Sequence, residues 1–142
     1  MAELVEVNRV VVFPWHCDHF GHMNVRWYAH HFDDGAFHLW AVYGVDFKQL
    51  MAEGYHNVVA QTKTDFRKES TAGDMLVINA GFTQIGTKSI GIHLRMVNAY
   101  SGELCATQDV VEVFFDARTR SSAQIPPGLR ASIEPGLVTV PN

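Results

Sequence analysis

The chain has 142 residues, 47% of them hydrophobic and 18% charged, which is the size and balance of one globular domain and excludes a disordered polymer. Its formal net charge of −4 and pI near 6.0 exclude the basic face of a nucleic-acid binder, so an anionic ligand has to meet a local cluster of cations. No apolar run approaches the ~20 residues that cross a bilayer.

Val5 to Phe13 is rich in Val and stops at Pro14, which cannot donate to a ladder, so it is predicted to be the first strand. Trp15 to Asn24 follows as a loop that carries Asp18, Gly21 and Asn24. Asn24 is a favoured N-cap type, and its side-chain oxygen is expected to take the backbone N–H of Arg26 or Trp27. That leaves the N–H of Val25 free at the positive end of the following helix. Gly21 permits a bend that swings the Asp18 carboxylate over that helix end. A carbonyl bound there has its oxygen on the Val25 N–H and its carbon near Asp18, and one such donor is typically worth ~10²–10³ in rate.

The pattern Asp18-x-x-Gly21-His22-x-Asn24, followed by Tyr28, resembles the signature of the 4-hydroxybenzoyl-CoA thioesterase family of hotdog-fold acyl-CoA thioesterases. The resemblance extends over about residues 5 to 117. It implies Asp18 as the catalytic carboxylate and Val25 as the amide donor, with Gly21 and Asn24 shaping the turn and His22 and Tyr28 on the substrate side. It further implies an acyl-CoA substrate, no cofactor beyond the CoA of that substrate, and a homotetramer.

From Val25 to Tyr43, Tyr28, Phe32, Ala36, Leu39 and Tyr43 recur at three- and four-residue spacing, which predicts a long helix with one buried face. Gly35 lies on that face and marks a close approach of helix to sheet. Gly44 closes the helix, and Asp46 with Gln49 forms a capping-box pair for a second, short helix over Phe47 to Glu53. His56 to Arg67, Asp74 to Gln84, Lys88 to Val97 and Glu103 to Asp116 then read as four strands, separated by Gly- or Ser-containing turns. The expected fold is α+β, a five-stranded antiparallel hotdog sheet wrapped around one long central helix. One sheet edge is left bare in that arrangement, so a homodimer at minimum is expected. The whole chain reads as a single domain, with residues 118–142 as a less regular tail.

His16, His19 and His22 recur every third residue beside Cys17 and Asp18, but the glycine turn breaks the geometry and no zinc spacing follows, so no metal site is expected. Cys17 reads as a small buried hydrophobe, and Asp33 and Asp34 as solvated or structural groups flanking the apolar stripe, the alternative being that one of them assists catalysis. Arg67, Arg118 and Arg120 are the candidate cations for the phosphates of CoA, with Lys68 and Lys88 behind them. Trp15, Phe20, Trp27 and Phe32 are candidates for an aromatic wall that favours aryl or short branched acyl groups, or that holds a quaternary ammonium. Arg26 opposes the helix dipole without an evident reason. A non-hydrolytic acyl-thioester binder and a hotdog hydratase or dehydratase are the alternatives to a hydrolase. Met1 to Asn8 lacks the basic and apolar regions of a signal peptide, and with two cysteines, too few for a disulfide framework, the expected location is the cytoplasm.

Overall fold

A computed structural model describes residues 3–140. Its elements are β1 (Val5–Val11), α1 (Val25–Val42), α2 (Phe47–Ala52), β2 (Tyr55–Phe66), β3 (Met75–Ile85), β4 (Ser89–Asn98), β5 (Leu104–Asp116), β6 (Ser121–Ser122) and α3 (Pro127–Ile133). The strands form one antiparallel sheet in the order β1-β3-β4-β5-β2, and the two-residue β6 pairs with β5 as a sixth strand beyond the five expected. Strand β1 stops at Val11 because residues 14–16 turn into a 3₁₀ segment that begins at Pro14.

Alternation along the strands decides which face meets α1. The register sets Ile78 against Met96, Ala80 against Leu94 and Ile92 against Val110, so these side chains share the inner face. There they meet Phe32 and Leu39 of α1, which are fully buried. Truncating either to Ala would cost about 2–5 kcal/mol. The helix lies over β1, β3 and β4. Gly35 explains how closely: a Cβ there would sit 3.0 Å from Val7 Cγ2 and 3.4 Å from both Ile78 Cγ2 and Leu94 Cδ2. This is the hotdog arrangement, a sheet curled around a central helix.

The C-terminal segment is more regular than its sequence suggests. Helix α3 starts with Pro127 at its first position, where the missing N–H costs nothing. Ile125, Ile133 and Val138 are buried, and the Val138 N–H donates to the Phe82 carbonyl at 2.8 Å. The Arg130 guanidinium donates to the Gly86 carbonyl, and the Tyr43 hydroxyl to the Gly136 carbonyl at 3.2 Å, so the segment closes the end of the sheet beside the C-terminus of α1. The expected capping box at α2 is half present: Asp46 Oδ1 accepts the Lys48 N–H, while the Gln49 amide bonds Glu53 instead.

Strand β2 is the opposite edge, and most of its twelve residues are solvent-exposed, Val58 and Val59 among them. No helix among the described residues is long and apolar enough to cross a membrane.

Candidate active site

The loop before α1 is built from short-range hydrogen bonds that the sequence dictates. Asp18 opens a tight turn in which the Gly21 N–H donates to its carbonyl at 2.9 Å and the Phe20 N–H to its Oδ1 at 2.9 Å. Gly21 closes the turn at φ +82°, a conformation that a Cβ resists. The Asp18 N–H returns to the His22 carbonyl, and Met23 and His22 bridge to Ser70 and Thr71, which pins the loop to the segment after β2. His16 anchors the other side: its carbonyl accepts the Asn24 N–H and its Nδ1 accepts the Phe13 N–H.

Asn24 is the N-cap, in extended backbone, and its Oδ1 accepts the Arg26 N–H at 3.2 Å. The Arg26 Nε donates to the same oxygen at 3.0 Å, which gives that cation a place: it folds back over the cap instead of facing the dipole alone. The other end of the Asn24 amide donates to Asp18 Oδ2 at 3.3 Å. One side chain therefore ties the carboxylate to the helix tip. The Val25 N–H, next along, meets no acceptor among the described residues. The Phe20 N–H, helped by the Asn24 amide, holds the Asp18 carboxyl below the ordinary aspartate range, so it is ionised at neutral pH.

A cleft of about 400 Å³ opens at this helix tip, lined by His22, Met23, Val25, Tyr28, Phe66, Arg67, Lys68 and Glu69. Tyr28 stands edge-on to Phe66 with ring centroids 5.1 Å apart, and burial pushes its phenol above the usual range. His22 Nε2 lies 3.2 Å from a Glu69 carboxylate oxygen. Asp18 does not line the cleft itself; it reaches the rim through Asn24, the residue before Val25.

The structure thus gathers Asp18, Gly21, His22, Asn24, Val25, Tyr28 and Arg67 at one end of α1. Arg118 and Arg120 lie elsewhere. They follow the end of β5, which pairs with the start of β2, Asp116 opposite Tyr55, whereas the cleft sits at the other end of that ladder beside Phe66. Arg120 stacks 5.2 Å over the Phe115 ring, and Arg118 lies against Gly54. The expected aromatic wall is not formed either: Phe32 is in the core, Trp15 and Phe20 are solvent-exposed, and Trp27 packs on the His16 ring at 4.8 Å. Lys68, a candidate cation in the sequence, lines the cleft beside Arg67, and Phe66 and Met23 line it without having been singled out in the sequence. No group of three or more metal-ligating side chains gathers among the described residues.

A family model described as "Thioesterase-like superfamily" matches residues 11–133. The chain belongs to the thioesterase-like superfamily. Among solved structures similar to it is a 1,4-dihydroxy-2-naphthoyl-CoA thioesterase from Synechocystis, 16% identical, with a TM-score of 0.81 over 92% of this chain and 96% of that one. A hypothetical protein from Staphylococcus aureus, solved in complex with CoA, is 19% identical, with a TM-score of 0.88 over 99% and 90% of the two chains. YbaW, a probable thioesterase from Escherichia coli, is 20% identical, with a TM-score of 0.79 over 92% and 98%. At these identities the likeness is one of fold, and it places the superfamily's hotdog architecture beyond the match of the sequence alone. No curated protein sequence matches the chain significantly.

Proposed function

We propose that this superfamily member is an acyl-CoA thioesterase that uses Asp18 and the Val25 N–H on the thioester carbonyl. The observation that carries the reading is the unpaired Val25 N–H at the tip of α1 beside an ionised carboxylate tied to the same cap. The thioester oxygen sits on that N–H, where the helix dipole stabilises the charge that develops. Asp18 either attacks the thioester carbon or draws a proton from the attacking water. Its depressed pKa weakens it as a proton acceptor and as a nucleophile alike; the route that makes a covalent intermediate is direct attack. In that route a carboxylate oxygen bonds the carbonyl carbon, the C–S bond breaks, the CoA thiolate leaves and takes a proton, and water then cleaves the mixed anhydride to free acid and Asp18. Single-turnover hydrolysis in ¹⁸O-labelled water tests it: label retained in Asp18 supports direct attack with water entering the anhydride at the Asp18 carbonyl, and label only in the free acid contradicts that entry.

The cleft cations Arg67 and Lys68 suit the anionic end of CoA, and a CoA complex among the structural neighbours supports an acyl-CoA ligand. Arg118 and Arg120 join the site only in a homo-oligomer. Two β2 edges paired antiparallel about mid-strand would set the start of one β2 beside the end of the other, and with it Arg118 of the partner subunit beside this cleft. Sedimentation at micromolar concentration should give a dimer or tetramer; a monodisperse monomer would contradict the pairing. Replacing Arg118 and Arg120 together should raise KM more than it lowers kcat. A panel of acyl-CoA esters, read by thiol release, identifies the acyl preference; no release from any of them would end the proposal.

A further inference from the structure

A second cavity, of about 220 Å³, lies between the outer flank of α1 and the inner face of the β5–β2 edge, where the helix no longer covers the sheet. That is about the space of seven water molecules. Its walls include Phe37, Trp40 and Phe47, with Phe47 edge-on to both other rings at centroid distances of 5.3 and 6.0 Å. Its polar end is Glu112, which strand alternation points inward between Val110 and Phe114 and which is only 6% exposed.

The Glu112 carboxylate accepts two hydrogen bonds, from Trp40 Nε1 at 3.1 Å and Asn57 Nδ2 at 2.7 Å, and both donors are neutral. Asp33 stands on the same wall from the helix side. Among the described residues no Lys, Arg or His nitrogen lies within 4.0 Å of either carboxylate. Burial raises both carboxyls above their ordinary values, at Asp33 with the Asp34 carboxylate adding to the rise and the nearby His30 imidazole opposing it. Two carboxylates, three aromatic rings and no cation within ion-pair distance are the chemistry of an ammonium receptor. The cavity also has a way in: Asp33, Val59, Thr62 and Gln108 line both it and a groove that runs along α1 to Arg26, the residue after Val25.

We propose that this cavity binds an organic ammonium group, carried at the far end of the acyl chain whose thioester lies at the Val25 amide. Glu112 and Asp33 supply the charge, and Phe37, Trp40 and Phe47 supply the walls. The link to the acyl chain rests on the thioesterase reading; ammonium binding does not. From Val25 to Asp33 the helix rises about 12 Å, so the groove sets a chain length as well as a terminal group.

The probe is choline, titrated calorimetrically into the full-length protein beside its uncharged isostere 3,3-dimethylbutan-1-ol. The proposal expects one choline site per chain, at least tenfold tighter than the isostere. Glu112→Gln should weaken it at least tenfold and the exposed Asp33→Asn severalfold, while Asp18→Asn leaves it unchanged. Asp33→Asn keeps the test decisive should Glu112→Gln fail to fold. Equal binding of isostere and choline, no saturable binding, or wild-type binding by the folded variants would overturn the site. A ladder of ω-trimethylammonio-acyl-CoA esters against their tert-butyl-terminated isosteres then tests the acyl link. Preference for the charged series at one length, lost in Asp33→Asn, is expected. Equal turnover of both series, or turnover of neither by a protein that hydrolyses other acyl-CoA esters, overturns the link alone, whereas no thiol release from any acyl-CoA ester beside intact choline binding overturns the thioesterase reading while sparing the site.

Discussion

Proline in place of Val25 is a substitution that removes one atom of consequence. Val25 is the first residue of α1, the position where proline is best tolerated, because its N–H makes no intrahelical bond and its fixed φ suits the helix. The preceding residue must be extended, and Asn24 already is, at φ −71° and ψ 149°. The Val25 side chain is 60% exposed, so little packing is lost. Stability should therefore change by less than about 1 kcal/mol. With an unfolding entropy of ~0.3 kcal/mol/K for a chain of this length, that is a shift of less than about 3 °C in Tm. The thioester oxygen, however, loses its donor, and kcat should fall by ~10²–10³, or about 2.7–4 kcal/mol of barrier. Thermal melts followed by circular dichroism, and thiol release from the best acyl-CoA ester, read the two effects separately, with Val25→Ala as the control that keeps the N–H. A folded Val25→Pro protein with wild-type kcat would refute the assignment of the donor.

Three further outcomes follow from the same geometry. Asn24→Asp keeps an N-cap but sets a second carboxylate against Asp18, so kcat/KM should fall with its acidic limb moved to higher pH, and melting should be slightly lower at neutral pH and recover as the pH is lowered; Asn24→Ala should lose about 1 kcal/mol of stability with no such pH dependence. His31 is buried among His16, Trp27 and His30, and burial, with the two neighbouring imidazoles, lowers its pKa to about 4. Below about pH 6.5 the unfolded chain takes up a proton that the folded chain refuses until about pH 4, so urea stability should fall by roughly 1 kcal/mol per pH unit across that window, and less steeply in His31→Asn. Gly35→Val should destabilise the fold by about 1–3 kcal/mol in urea titration, because the added atoms meet Val7 Cγ2 at close range.

What was legible in the sequence was what short-range chemistry decides. The Asp18 turn, the Asn24 cap and the apolar stripe of α1 are each specified within a few residues, and each forms where the sequence placed it. Helix α3 escaped notice because Pro127 and Gly128 read as breakers, although the proline occupies the first helical position and Ile133 is fully buried. The assignment of Arg118 and Arg120 looked only at their place after the last strand. The antiparallel β5–β2 ladder sends that end away from the Asp18 loop, a consequence that strand order alone carries. Glu112 shows a different limit. Its inward parity between Val110 and Phe114 was readable, but its partners Trp40 and Asn57 lie 72 and 55 residues away, and only the folded chain brings them together.

The most direct test of the account is Asp18→Asn. The carboxylate is exchanged for an amide of the same shape at the rim of the helix-tip cleft, where its oxygen still accepts the Phe20 N–H and the Asn24 bond is the one lost. Hydrolysis of the best acyl-CoA ester should disappear, while the protein stays folded, with at most about 1 kcal/mol of stability lost, and its affinity for that ester stays as it was. An Asp18→Asn protein that turns over at the wild-type rate would contradict the account.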